Sequence, residues 1–235
     1  MKPIQASADS PNWKRPFFIV WTGQAFSILG SYLVQFALVW YLTKTTGSAT
    51  ILATSSLVAV LPDIVLGPFA GALIDRWDRR RVMILADAFT ALVSLGLAAL
   101  IWTGSAEIWH VFVAVGLRSL GASFHRPAFT ASTTLMVPRE HLARVAGVNQ
   151  MLNGALGVLA PPLGALLMEL LPIHQVIALD LITASLAILP LTLILIPRPQ
   201  RTDLEQSPTS PAALLGDVRA GLAFLVRWRG MLMVV

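Results

Sequence analysis

Apolar residues along this chain fall into long unbroken runs separated by short polar joints, without the strict alternation that marks half-buried strands. The runs predict six helices of membrane-spanning length, at about 17–43, 48–74, 82–103, 107–127, 145–171 and 175–196. A bilayer core roughly 30 Å thick takes about 20 residues of helix to cross, and each run meets that length. The joints alternate in character. "TKTTGS", "TGSAE" and "LPIHQ" hold a single lysine among them, whereas "IDRWDRRR", "VPREHLARV" and "IPRPQRTDLEQSPTSP" are rich in arginine. Because basic joints stay on the cytoplasmic side, this alternation places the N-terminus and the segment after Ile196 inside.

The same pattern divides the chain into a polar cytoplasmic tail at 1–16, a six-helix transmembrane domain at 17–196 and a cytoplasmic linker at 197–211. Residues 212–235 read as an amphipathic helix with Arg219, Arg227 and Arg229 toward water, followed in "MLMVV" by the truncated start of a seventh helix. The expected class is therefore an all-α membrane protein in the cell membrane, with the lipid bilayer as its first partner.

Composition sharpens this reading. Charged residues make up 12% of the chain and hydrophobic residues 56%, and the mean hydropathy is +0.73. Net charge is +5, but the arginines sit singly between apolar runs instead of lining one solvated face, which argues against nucleic acid. The absence of cysteine excludes disulfides and thiolate metal sites. "NWKRP" ends a polar segment with no small-residue cleavage site, so no signal peptide is expected. The four histidines show no metal-ligand spacing, and no Gly-rich phosphate loop precedes a Lys and a Ser or Thr. No enzyme, metal or cofactor is expected from these residues.

The charges that remain inside apolar runs are few. Asp63, Gly67, Gly71 and Asp75 recur every fourth residue, hence along one slowly drifting helix face, and Gly67 with Gly71 forms a small-xxx-small pair suited to close helix packing. Arg76, Asp78, Arg79, Arg80 and Arg81 then crowd the joint to the third run. Arg118 lies eleven residues past Glu107, about 16 Å down a helix and close to the midplane, where a charge needs a cavity or a partner. Asp63, twelve residues from Asp75, falls at a similar depth and is the expected partner. Asp180 and Glu169 are expected at the interface, and His125 and Arg126 are expected to snorkel to the inner surface. Asp87 is expected to reach the arginines of the joint.

The stretch Gly71-x-x-x-Asp75-Arg76-x-x-Arg79-Arg80 resembles the signature loop between the second and third helices of the major facilitator superfamily, with Asp78 where a glycine is usual. The resemblance implies that Gly71 is a close-packing position, that Asp75 faces a helix end of a second six-helix half, and that Arg76, Arg79 and Arg80 belong to a gating latch. "GLRSLGASF" is similar to the family's fourth-helix pattern of an arginine shortly before a glycine, here Arg118 and Gly121, which implies a part in proton coupling for Arg118. "GVLAPPLGALL" is similar to the fifth-helix antiporter signature around Pro161 and Gly164, with Ala160 and Ala165 where glycines are usual.

Across the six runs the chain looks most like the drug and macrolide exporter branch, on "DRWDRRRVMI", "RPAF" and "LDLITASLAI". The resemblance implies the N-terminal half of a proton-coupled exporter of small hydrophobic solutes. Its partners would be a small-molecule substrate and the missing C-terminal half, with Asp63 as the carboxylate that Arg118 tunes. Two alternatives stay open: a uniporter or importer of a small organic solute, and a truncated membrane protein that transports nothing.

Overall fold

A computed structural model of the chain describes residues 4–5 and 12–196, apart from the side chains of residues 4, 5, 68, 72 and 75. The expected linker at 197–211 and the amphipathic and seventh helices at 212–235 lie outside the described residues. Six long helices account for nearly all the rest: α1 Lys14–Thr46, α2 Ala49–Arg76, α3 Arg79–Trp102, α4 Ile108–Met136, α5 Leu142–Leu170 and α6 Ile173–Leu193. A 3₁₀ turn at Arg139–His141 precedes α5. Five of the six are long and apolar enough to cross a membrane; α4 is not among them. The physical reason is its load of Arg118, His125, Arg126 and a run of serines and threonines.

Helix boundaries follow local chemistry. Gly47 ends α1 in the left-handed region at φ 59°, where a Cβ would be strained. Ser48 then caps α2 by accepting a hydrogen bond from the Ile51 N–H. Asp78 caps α3 by accepting from the Arg81 N–H at 3.3 Å. Its φ of −70° makes no demand for glycine. The helix α4 runs nine residues beyond the expected end at 127, because Pro127 is accommodated inside it.

One small departure from an all-helical architecture occurs. Two short strands, β1 Ile4–Gln5 and β2 Ile194–Leu195, pair in parallel with Ile4 opposite Ile194. The expected cytoplasmic tail at 1–16 therefore holds a short strand and the first residues of α1.

The helices pack in the spatial order α2, α4, α3, α6, α1, α5. The closest approach is between α1 and α6, where Gly23 meets the backbone of Leu186 and Ala187 and Gly30 meets the Thr183 side chain. Small residues at such crossings permit backbone contact that a larger side chain would block. Two apolar clusters close the ends of the bundle. One, at the end carrying the α2–α3 joint, includes Phe17, Ile74, Met83, Met136 and Leu191. The other, at the opposite end, includes Leu38, Leu42, Leu97, Val111 and Ile177. Between them lies a slab of buried polar side chains.

Candidate functional site

A cavity of about 580 Å³ opens into that slab and takes lining residues from all six helices. α2 and α5 form its flanks and are the least buried of the apolar helices. α3 and α4 run antiparallel across it, and their polar residues repeat at seven-residue intervals: Asp87 and Ser94 on α3, Arg118 and His125 on α4. Seven residues are nearly two turns, so each pair shares a face and is separated by about 10 Å along the axis. In an antiparallel pair this spacing stacks two layers, Ser94 with Arg118 and Asp87 with His125.

The first layer is an ion pair. The Arg118 guanidinium donates to the Asp180 carboxylate of α6 and to the Ser94 hydroxyl, which itself donates to Asp180 at 2.7 Å. Both charged residues are almost fully buried, Arg118 at 6% and Asp180 at 2% exposure. Asp180 is therefore not interfacial, and Asp63 is not the partner of Arg118. Counting depth along a backbone neglects the reach of an arginine, which carries its charge far from its own Cα. Orientation matters as well. Ser119, whose hydroxyl donates to the Ala59 carbonyl, marks the side of α4 that meets α2; Arg118 is turned by 100° toward α3 and α6.

The second layer is built around Asp87. Ser27 of α1 donates to its Oδ1 at 2.9 Å, Gln24 of α1 donates to its Oδ2 at 3.3 Å, and His125 Nε2 lies 3.4 Å from Oδ1. His125 Nε2 is also 2.7 Å from Gln24 Oε1. An amide oxygen only accepts, so with the Gln24 amide turned this way Nε2 carries the proton. His125 is buried and does not snorkel, and Asp87 faces this layer instead of the joint arginines. Gln24, Ser27 and Ser94 were not singled out in the sequence; the signal for them was a polar residue on an otherwise apolar helix face.

Asp63 meets Arg126 at 3.8 Å at the cavity rim, with both side chains largely exposed. Trp21 of α1 donates to Asn149 Oδ1 of α5 at 2.7 Å and ties that flank to the bundle.

At the α2–α3 joint, Arg79 Nη1 donates to the Ala131 carbonyl of α4 at 2.8 Å. Arg80 donates to the Leu191 and Thr192 carbonyls at the end of α6. Leu191 and Thr192 lie in the last turn of α6, where carbonyls lack a partner further along the helix and a cation suits the negative end of the helix dipole. Arg76 stands in the last turn of α2, the same favourable position. The side chain of Asp75 lies outside the described residues.

The expected packing glycines divide. A Cβ on Gly121 would come within 2.6 Å of Thr90 Oγ1, and one on Gly164 within 2.5 Å of the Phe36 ring, so both are close-packing positions. Around Gly67 and Gly71 a Cβ would meet nothing within 4 Å among the described residues. Among the described residues these two are therefore not close-packing positions, although they are half-buried. Pro161 stands inside α5 and is exposed.

A family model described as Major Facilitator Superfamily matches residues 20–235. Macrolide efflux protein A of Streptococcus pyogenes is 37% identical over 187 residues, covering 80% of this chain and 46% of that protein. Macrolide efflux protein A of Enterococcus faecalis is 36% identical over 185 residues, covering 79% of this chain and 56% of the relative. The multidrug efflux pump Tap of Mycobacterium bovis is 27% identical over 140 residues, covering 60% of this chain and 33% of the pump. The chain spans about half the length of the curated relatives it matches. With several helices apolar enough to cross a membrane and a match over most of its length, this chain belongs to the major facilitator superfamily of multi-pass membrane transporters.

Proposed function

We propose that this chain is the N-terminal six-helix half of a secondary active exporter, which moves small hydrophobic solutes of the macrolide class outward by alternating access, driven by protons. The observation that carries this reading is the cavity. It draws on all six helices, holds buried charge at its floor, and is flanked by the two helices least covered by their own bundle. On this reading α4 also crosses the membrane, its polar face shielded by α3 and α6. A second half would cover the Gly67 and Gly71 face of α2 and complete the cavity. Parallel halves related by an axis along the membrane normal, with the solute site at the midplane between them, fit this arrangement.

The end bearing the α2–α3 joint is cytoplasmic on this reading, since Lys14, Arg15, Arg76, Arg79, Arg80, Arg81, Arg139 and Arg144 gather there. The joint is the gating latch: Arg79 and Arg80 hold α4 and the end of α6 in fixed relation to the start of α3, and Asp75 faces the second half. Arg118 keeps a fixed positive charge beside the cavity and tunes its carboxylates, Asp63 among them, through that charge. Solute movement and protonation are then linked because both change the charge balance of one enclosed space.

The test is solute flux in membrane vesicles bearing the complete gene product, energised by a pH gradient with and without a protonophore. Gradient-driven accumulation that the protonophore abolishes supports the reading. Flux that follows only the solute's own gradient makes the protein a uniporter, and no flux makes it a non-transporting membrane protein. Arg118→Ala is expected to abolish coupled flux while the protein still inserts.

A further inference from the structure

We propose that the Asp87–His125 pair is the site at which the transported proton is held, with Gln24 and Ser27 as the groups that orient it. The inference rests on the proton-coupled reading above and names the residue pair that such coupling would use.

The argument begins with charge. Among the described residues, the cavity is lined by three carboxylates: Asp63, Asp87 and Asp180. Asp180 is paired with Arg118 and Asp63 with Arg126, and an arginine stays protonated throughout. Each of those pairs is neutral and has no proton to exchange without breaking an ion pair. α1 and α5 bring Tyr32, Asn149 and Asn153 to the cavity and no formal charge. The partners of Asp87 are Ser27, Gln24 and His125. Of these only histidine changes charge in the neutral pH range.

With His125 neutral, the Asp87 layer carries one negative charge. Proton uptake occurs on the free Nδ1 lone pair while Nε2–H continues to face Gln24 Oε1 and Asp87 Oδ1, and the layer becomes a neutral imidazolium–carboxylate pair. Release of the same proton from Nδ1 restores the negative charge. No bond other than that N–H forms or breaks. The hydrogen bonds from Ser27 and Gln24 hold the carboxylate in place in both states, so the change is one of charge and not of packing. Both His125 and Asp87 line the cavity, so water there can deliver the proton. A cationic amphiphile in the cavity competes with that proton for the same negative charge, which is the linkage an exchanger needs.

Position supports the assignment. Asp87 is eight residues into α3, roughly 12 Å from the joint end of that helix. An acid at that depth is costly unless its charge is used or satisfied. The Arg118 layer satisfies its acid permanently. The His125 layer balances the charge of its acid only when the imidazole carries its second proton.

The experiment uses everted membrane vesicles bearing the complete gene product and radiolabelled erythromycin as the probe. Two quantities are read: accumulation driven by an imposed pH gradient, and exchange of labelled for unlabelled erythromycin with no gradient. If the unaltered protein shows no gradient-driven accumulation, the proton-coupled reading itself fails. If it does, His125→Gln is expected to lose gradient stimulation by about tenfold or more while exchange remains measurable. Asp87→Asn removes the charge for which proton and solute compete, and is expected to weaken exchange as well as to lose gradient stimulation. Gradient stimulation within about twofold of the unaltered protein in His125→Gln would overturn the proposal.

Should His125→Gln lose exchange as well, the imidazole is observed directly by NMR of ring-labelled histidine, with the variant identifying the His125 signal. A signal that changes protonation between about pH 5 and pH 8 and whose midpoint moves in Asp87→Asn supports the assignment. A signal unchanged across that range overturns it.

Discussion

The two polar layers of the bundle share α3 and α4, lie about 10 Å apart and are buried to a similar degree, yet they take their acids from different helices, Asp180 of α6 and Asp87 of α3, and different basic side chains from α4. Where α4 supplies Arg118, the layer is an ion pair whose charges are always present. Where α4 supplies His125, the layer holds a carboxylate beside an imidazole, a ring that exists in neutral and charged forms. The lesson is that burial of charge does not by itself mark a working group. The partner decides whether the charge is a fixed beam in the structure or a variable.

The largest expected effect separates the layers by stability. Asp180→Ala leaves the Arg118 guanidinium buried without its counter-charge, and removal of one member of a buried pair costs about 3–5 kcal/mol. Loss of folded protein in a thermal unfolding scan in detergent is the expected result. The joint replacement Arg118→Met with Asp180→Leu should recover much of that stability, because two apolar groups of similar volume leave no orphan. A double variant no more stable than Asp180→Ala alone would break the view that the layer is a self-contained pair.

Next in size is the register that stacks the layers. Gly121 sits between Arg118 and His125 on α4, hard against Thr90 of α3. Gly121→Val should cost about 1–3 kcal/mol by overpacking and disturb both layers together. Gly67→Val, on a face where a Cβ meets nothing within 4 Å among the described residues, should leave the stability of the six helices within about 0.5 kcal/mol. Equal losses from the two variants, measured by the same unfolding scan, would show that α2 packs more tightly than its geometry indicates.

Smaller still is His125→Gln. The amide keeps hydrogen-bonding capacity near Asp87 and Gln24, so the expected loss is about 1 kcal/mol. A loss as large as that of Asp180→Ala would make the second layer structural and erase the difference between the two. The smallest effect belongs to the rim. Asp63 and Arg126 are largely exposed and 3.8 Å apart, and such a pair contributes about 0–1 kcal/mol before screening. Asp63→Asn should leave unfolding unchanged while altering the apparent affinity for a cationic solute in flux assays.

Much of this architecture was legible beforehand, for reasons tied to particular residues. Apolar runs long enough to span a bilayer leave little freedom in where helices lie, and each expected run coincides with one of the six helices. Ser48 and Asp78 are capping residues at the starts of α2 and α3 and could be read as such. The site was legible only in part. Arg118 stood out because an arginine deep in an apolar run has few acceptable environments. Its partner did not, since Asp180 of α6 and Asp63 of α2 are both acids in apolar runs, and which of the two helices the Arg118 face of α4 meets is set by packing. Pro161 fits a packing pattern along its own helix but is exposed, and a Cβ on Gly67 would meet nothing within 4 Å among the described residues.

The pattern of residues by itself determined six long helices, the arginine-rich joints, and the presence of buried charges that demand partners, because these follow from local hydropathy and the cost of charge away from water. Tertiary structure alone decided the packing order that carries α3 between α4 and α6, and with it the pairing of Arg118 with Asp180 and of His125 with Asp87. Helix rotation and side-chain reach are set by contacts between segments distant in sequence, and no periodicity within one helix encodes which neighbour its polar face will meet.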